Sequence, residues 1–257
     1  MNGFLGPRLK LERAKHHIKD FVAQAEALFN SDRRRFSIIE NTERRQRTLI
    51  VNIDTSIPDH FPMIIGDAIH NLRSALDHLT WDVLRPFNPI PDKVQFPFCR
   101  KADGFESVLA NRQIKIAGEE IAKKFRNLKP YPGGNDLLYG LHILDVADKH
   151  ELIIPVRSIV GFDRLDVRDL DPDAPEVIIE NKAFNVLKDN RLAIWTYNPA
   201  IALKTPENPK DIDMAVQILF RKDQPFGGRS VPAVMQDMAI LVRQIIESFS
   251  ITPNSSK

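Results

Sequence analysis

The sequence predicts an α+β fold: an N-terminal helical bundle with an inserted β-hairpin, followed by a small antiparallel sheet and a C-terminal helix. Three observations predict it. Apolar residues recur at helical spacing through most of residues 1–154, one alternating stretch near residue 45 interrupts them, and short alternating segments broken by Pro, Asp and Asn fill much of 155–257. The expected division is therefore a site-bearing part, 1–154, and a sheet with a closing helix, 155–257, whose packing as one domain or two is left open.

Pro7 suits the first turn of a helix. Leu9, Leu11, Ala14, Ile18, Phe21, Val22, Ala25, Leu28 and Phe29 then keep helical spacing to about Asn30. Arg13 and His17 share one face of that helix, and Lys10 and Asp20 beside them mark it as solvated. Phe36 to Glu40 and Thr48 to Ile53 alternate around a polar turn, as a hairpin does. Six arginines surround it: Arg33, Arg34, Arg35, Arg44, Arg45 and Arg47. Guanidinium groups suit phosphate contacts, but no aromatic residue is interleaved for base stacking. Charged strand edges serve solubility, which is the expectation here.

Gly66 to Leu84 forms the next helix, ending before Pro86. The segment bearing Pro86, Pro89, Pro91 and Pro97 must be extended or turned, with Phe96 and Phe98 docking it onto the bundle. A weaker helical stretch runs from about Phe105 to Leu128, with a break near Gly118. Asn135 can cap a further helix reaching about Leu152, in which Asp145 and Lys149 have the spacing of a surface ion pair. Beyond Pro155, Ile159 to Val167, Glu176 to Ile179, Leu192 to Tyr197 and Ala215 to Phe220 read as strands, and the acidic run from Asp163 to Glu176 as an exposed loop. Val231 to Phe249 closes the chain as a helix with Met residues filling its core face, and Ile251 to Lys257 is expected to fray.

Composition excludes several classes. The chain of 257 residues carries 36 basic and 34 acidic side chains, a formal charge of +2, so no global field calls for a nucleic acid or a membrane. Its one cysteine, Cys99, rules out an internal disulfide framework and a multi-cysteine zinc site. No apolar run is long enough to span a bilayer and no export signal is visible; a cytoplasmic protein with no membrane partner is expected. No Walker loop or dinucleotide-binding glycine pattern occurs, and no cofactor is expected.

The helix from Gly66 to Leu84 holds the strongest functional signal. At roughly 100° per residue, Asp67, His70, Asn71, Ser74, Asp77, His78 and Trp81 form one continuous stripe, opposite Ile65, Ala68, Ile69, Leu72, Ala75, Leu76, Leu79 and Val83. Asp, Asn and Ser compete with the helix backbone for hydrogen bonds, so such a concentration needs another reason. His142, Asp145 and Lys149 share a face of the helix after Asn135 and point to a site between helices.

Within the stripe, Arg73 and His78 form an Arg-x4-His pattern, Leu72-Arg-Ser-Ala-Leu-Asp-His78, which resembles the signature of the HEPN superfamily, helical bacterial proteins many of which are endoribonucleases in toxin and phage-defence systems. The resemblance implies that Arg73 and His78 act as a pair, that Ser74 takes the polar position after the arginine, and that two copies in a homodimer cut RNA without a metal. Asp77 would complete the catalytic group, with Asp67, His70, Asn71, Trp81, His142 and Lys149 contributing to binding. The wider combination of GDAIHNLRSALDHLTW, Phe96-Pro97 and Asp148-Lys149-His150 is similar to a group of uncharacterised bacterial and phage proteins. Residues five apart on a straight helix point roughly 140° apart, so one subunit cannot easily close Arg73 and His78 on one phosphate. Arg73 can instead pair with Asp77 one turn on.

Two other readings stand beside this one. The stripe can be a buried polar network that fixes helix register in a noncatalytic interaction module, with Asp67 holding Asn71, His70 meeting Ser74, and Ser74 meeting His78. Alternatively, His70, Asn71, Asp77 and His78, joined by His17 or His142, can hold a divalent metal. That reading ranks lowest, because His70 and His78 are about 12 Å apart along the axis.

Overall fold

The structure is a computed structural model and describes residues 4–30, 35–52, 57–151, 156–169, 173, 175–184, 191–198, 200–201 and 214–250. Among these are six α-helices: α1 (Leu5–Asn30), α2 (His60–Leu84), α3 (Phe105–Asn111), α4 (Glu119–Leu128), α5 (Asp136–Glu151) and α6 (Val231–Ser250). Six strands accompany them: β1 (Arg35–Asn41), β2 (Gln46–Asn52), β3 (Val156–Asp166), β4 (Ile178–Phe184), β5 (Arg191–Tyr197) and β6 (Met214–Phe220). The fold class is α+β. The expectations for Arg33, Arg34, the side chain of His150 and the segment 251–257 fall outside the described residues.

Two compact units interleave along the chain. One comprises Met1–Ala23, Asp59–Pro155 and Phe220–Lys257; the other comprises Gln24–Pro58 and Val156–Leu219. These cut across a division between residues 154 and 155, in two places. The hairpin falls with the later strands, because two strands alone are marginally stable and β2 gains β5 as a second neighbour, the third strand of an antiparallel sheet, with Leu49 opposite Trp195. The last helix belongs to the helical unit. Its buried face, including Val234, Met235, Met238, Val242 and Phe249, packs into the helical unit against α2 and α5.

The strands of the second unit form two three-stranded sheets, ordered β1-β2-β5 and β4-β3-β6, rather than the single sheet expected. In the first sheet Trp195 and Tyr197 stack at 4.6 Å, and Leu49 is wholly buried. The acidic run expected as a loop is partly strand: β3 continues to Asp166, with Arg164 opposite Glu180, and Val167 is buried. Cross-strand pairing overrides the poor strand propensity of those charged residues.

The helical unit is built on α2. It begins at His60, six residues earlier than the polar stripe suggests, and Pro62 is accommodated in its first turn. Its buried face includes Phe61, Ile65, Ile69, Leu72, Leu76 and Leu79. Each such side chain contributes about 1.5–3 kcal/mol through removal from water. Phe61 meets Phe21 of α1 edge to face at 5.3 Å. The proline-rich segment docks through Phe96, whose ring lies 5.8 Å from that of Phe125 on α4; Phe125 in turn packs on Phe249 of α6. Gly118, at φ +89°, breaks the stretch between α3 and α4. Arg126 then joins the two helices through Glu106 and Glu119, and its hydrogen bond, with one from Lys115, holds the Glu106 carboxyl down at about 2. Cys99 is buried and donates its thiol hydrogen to the Lys101 carbonyl. Asn135 caps α5 through its side-chain oxygen and the Leu138 amide, 3.0 Å.

Two glycines set how closely α5 is approached. A Cβ on Gly66 of α2 would lie 2.5 Å from a carboxylate oxygen of Asp148, and one on Gly140 would lie 2.2 Å from the tip of the Phe226 ring. An Asp tip can turn aside, but a phenyl ring cannot shorten. Gly140→Ala is therefore expected to lower stability by about 1–3 kcal/mol despite its better helix propensity, and Phe226→Ala in the same chain should recover part of that loss. Urea unfolding of the two single variants and the double variant measures the coupling. Equal losses from Gly140→Ala with and without Phe226 would show that the ring is not the obstacle.

Candidate functional site

Asp145 is the organising residue of the α2–α5 face. It lies on the same side of α5 as Leu138 and Leu141, both buried, and is itself only 2% exposed. A carboxylate taken out of water is costly unless it is paired and hydrogen-bonded. Asp145 is. One oxygen lies 3.0 Å from Nδ1 of His70 on α2, and the other accepts from Nζ of Lys149 at 2.6 Å. The expected Asp145–Lys149 pair exists, but its acid is buried, not on the surface.

The carboxylate fixes the imidazole. An ionised carboxylate only accepts hydrogen bonds, so Nδ1 of His70 carries the hydrogen and Nε2 is left as the second functional atom. Nε2 lies 3.4 Å from Oγ of Ser74 one turn along α2. The His70 side chain is half exposed, and so is that of Lys149. A buried acid thus orients an accessible imidazole beside an accessible cation. Such an arrangement can move a proton to or from an anionic substrate.

A second layer lies around Arg73. Its guanidinium is buried, with Nη1 2.5 Å from Oδ2 of Asp77 and Cζ 4.6 Å above the Phe98 ring. The other Asp77 oxygen accepts the Phe96 amide hydrogen at 2.8 Å. Phe98 stacks in parallel on His142 of α5, 4.5 Å away. Burial, reinforced by the Arg73 charge, pushes the His142 imidazole down to about 4. Among the described residues, Nε of Arg73 and Nδ1 of His142 are buried without a hydrogen-bond partner. Arg73 and His142 thus lie against Phe98 from α2 and α5.

The remaining stripe residues separate. His78 is exposed, and its Nδ1 lies 3.1 Å from where a Cβ on Gly6 of α1 would stand. Arg73 and His78 thus face different neighbours. Asn71 donates to the backbone carbonyl of Asp67 at 2.8 Å, not to its carboxylate, and accepts from Lys10 of α1 at 3.5 Å. Ser74 meets His70, and no bond from Ser74 to His78 is formed. Trp81 is half-buried. Burial, with the charges of Asp145 and Asp67, raises the Asp148 carboxyl. His17 is half-buried, and burial and Arg13 lower its imidazole, while Arg13 on the same face is exposed.

Among the described residues, no group of three or more His, Cys, Asp or Glu side chains is arranged to hold a metal ion, and no helix is long and apolar enough to cross a membrane. No protein-family model, curated protein or solved structure matches the chain. Its chemistry has to be argued from the site itself. Asp145 is placed by sequence reasoning on a face pointing to a site between helices, beside its reading as a surface partner of Lys149, but is not counted among the site residues. Its position seven residues after Leu138 and four after Leu141 was the signal that it points inward.

His142 supplies a pH test. A base held neutral by the fold binds its proton later than the unfolded chain does. Stability is then complete above about pH 6.5 and declines as pH falls towards 4, because the unfolded state takes up more protons across that window. Allowing for partial exposure, the loss is about 2 kcal/mol. Urea titrations between pH 7 and 4 should show a shallower decline for His142→Phe than for the parent. Identical slopes would show that His142 is not the group responsible.

Proposed function

We propose that this protein is an HEPN-like RNA-cleaving or RNA-binding protein whose proton-transfer group is His70. The observation that carries the reading is the buried Asp145 carboxylate holding Nδ1 of the half-exposed His70, with Lys149 on its other oxygen. In the reaction, Nε2 of His70 takes the proton from a ribose 2′-hydroxyl, and the 2′-oxygen attacks the adjacent phosphorus. The 5′-oxygen leaves and is protonated from solvent, giving a cyclic phosphate and a free 5′-hydroxyl. Lys149 can offset negative charge on the phosphate, and Asp145 stabilises the imidazolium formed. No metal is needed. Arg73 acts as a positioning residue: its ion pair with Asp77 and its stack on Phe98 hold α2 in place. His78 is the exposed member of the Arg-x4-His pattern and the point through which a second copy would complete the site in a homodimer.

A second reading is favoured by one observation. The Asp145 and Asp77 carboxylates both find their partners within the chain. Such a network suits a noncatalytic interaction module.

Incubation of the purified chain with mixed RNA in the presence of chelator separates the two. We expect cleavage to persist in chelator, to fall by about a hundredfold or more in His70→Ala, and to fall less in His78→Ala if the protein acts as a monomer. Arg73→Ala should reduce thermal stability together with activity. The absence of any cleavage, with unchanged folding of the variants, would support the module, and cleavage abolished by chelator would overturn the metal-free mechanism.

A further inference from the structure

The helical unit carries a second surface, independent of the α2–α5 face, between the first and last helices. An open groove of about 410 Å³ runs there. Its walls are the Lys15 to Val22 stretch of α1 and the Gln236 to Arg243 stretch of α6, two helical turns each and about 10 Å long. Ile18, Val22, Ala239 and Ile240 form an apolar floor. Ile240 remains 46% exposed in the middle of a helix whose other apolar residues are largely buried.

Positive charge stands on both walls. Lys15 and Lys19 rise from α1 and Arg243 from α6, and none of the residues lining the groove is acidic. Lys19 has no ion-pair partner among the described residues, while Arg243 reaches Glu247 only at 4.0 Å. Lys15 is the more engaged, at 2.8 Å from Glu12. A single alkyl carboxylate would use one of these three cations. A helix presenting apolar residues at i, i+3 or i+4, and i+7, with acidic residues along both flanks, would fill the floor and meet cations on each side. The length of the walls matches two turns of such a helix.

We propose that the α1–α6 groove is a docking site for an acidic amphipathic helix of a protein partner. The apolar floor supplies affinity and the Lys15, Lys19 and Arg243 rim sets the sign of the partner's charge.

The probe is a fluorescent helical peptide of about fourteen residues with Leu at i, i+3 and i+7 and Glu on both flanks, compared with the same peptide bearing Lys in place of Glu. Anisotropy titrations of the full chain should show the Glu peptide binding at least about tenfold more tightly than the Lys peptide, with the difference shrinking as salt is raised. Ile240→Asp, a substitution at an exposed position, should abolish binding while circular dichroism stays unchanged. Lys15→Glu, Lys19→Glu and Arg243→Glu together should reverse the preference towards the Lys peptide. Equal binding of the two peptides, binding unaffected by Ile240→Asp, or no binding of either would overturn the proposal. So would a groove that takes dodecanoate or a single-stranded RNA oligonucleotide, lost in the same variants, but neither peptide. RNA cleavage by the Ile240→Asp variant stays at the parent level if the two surfaces are separate, so failure here and failure of the proposed nuclease activity are read independently.

Discussion

A carboxylate buried between two helices is the constraint on which the helical unit's polar face depends. Asp145 is 2% exposed and takes donors from both sides: the imidazole of His70 across the helix interface and the ammonium of Lys149 along its own helix. Removing either donor would leave a charge short of partners, which costs far more than the pair contributes when intact. The rotational setting of α5 against α2 is therefore dictated by polar as well as apolar contacts. The same carboxylate decides which nitrogen of His70 faces outward, so structure and chemistry are coupled through one side chain.

The close approach that makes this geometry available comes from residues with little or no side chain. Gly66 leaves room for the Asp148 carboxyl, and Gly140 leaves room for the Phe226 ring. Asp148 is then crowded by burial and by the charges of Asp145 and Asp67, which favours its protonated form. The carboxyl groups of Asp67, Asp145 and Asp148 are thus gathered where α5 meets α2, and the Lys149 and His70 donors lie among them. Phe98 completes the interface from the proline-rich segment, inserted between the Arg73 guanidinium and the His142 ring.

Much of the helical unit was legible in the sequence because its signals are local. Helical spacing marked α1, α2, α5 and α6, Gly118 marked the break between α3 and α4, and Asn135 acts as the cap its type suggests. The interleaving of two units was not legible. It depends on β5 pairing with β2 across more than a hundred intervening residues, and no local pattern encodes the partner of a strand. The candidate site divides in the same way. The stripe on α2 was visible as a density of polar residues, and the Arg73–Asp77 pair follows from i,i+4 spacing. The pairing of His70 with Asp145 spans two helices, and only their relative rotation reveals it.

The position of Arg73 bears on what an Arg-x4-His pattern can mean in this chain. A guanidinium that stabilises a phosphate must reach it, and this one is 7% exposed, stacked on Phe98 and paired with Asp77. Moving it outward would break the ion pair, free Asp77 from all but the Phe96 amide, and open one face of the Phe98–His142 stack. That rearrangement would also relieve the nearby His142 of the positive charge that helps to keep it neutral. The arginine is consequently better suited to hold the helix than to leave it. Under the proposed RNA-cleaving reading, the catalytic role would fall on side chains that already face outward, His70 beside Lys149 on one side of α2 and His78 on another. Which of these two histidines would move protons under that reading is a question about two separate surfaces of one helix. The buried carboxylate behind His70, and the absence of any acidic partner hydrogen-bonded to His78 among the described residues, favour the first.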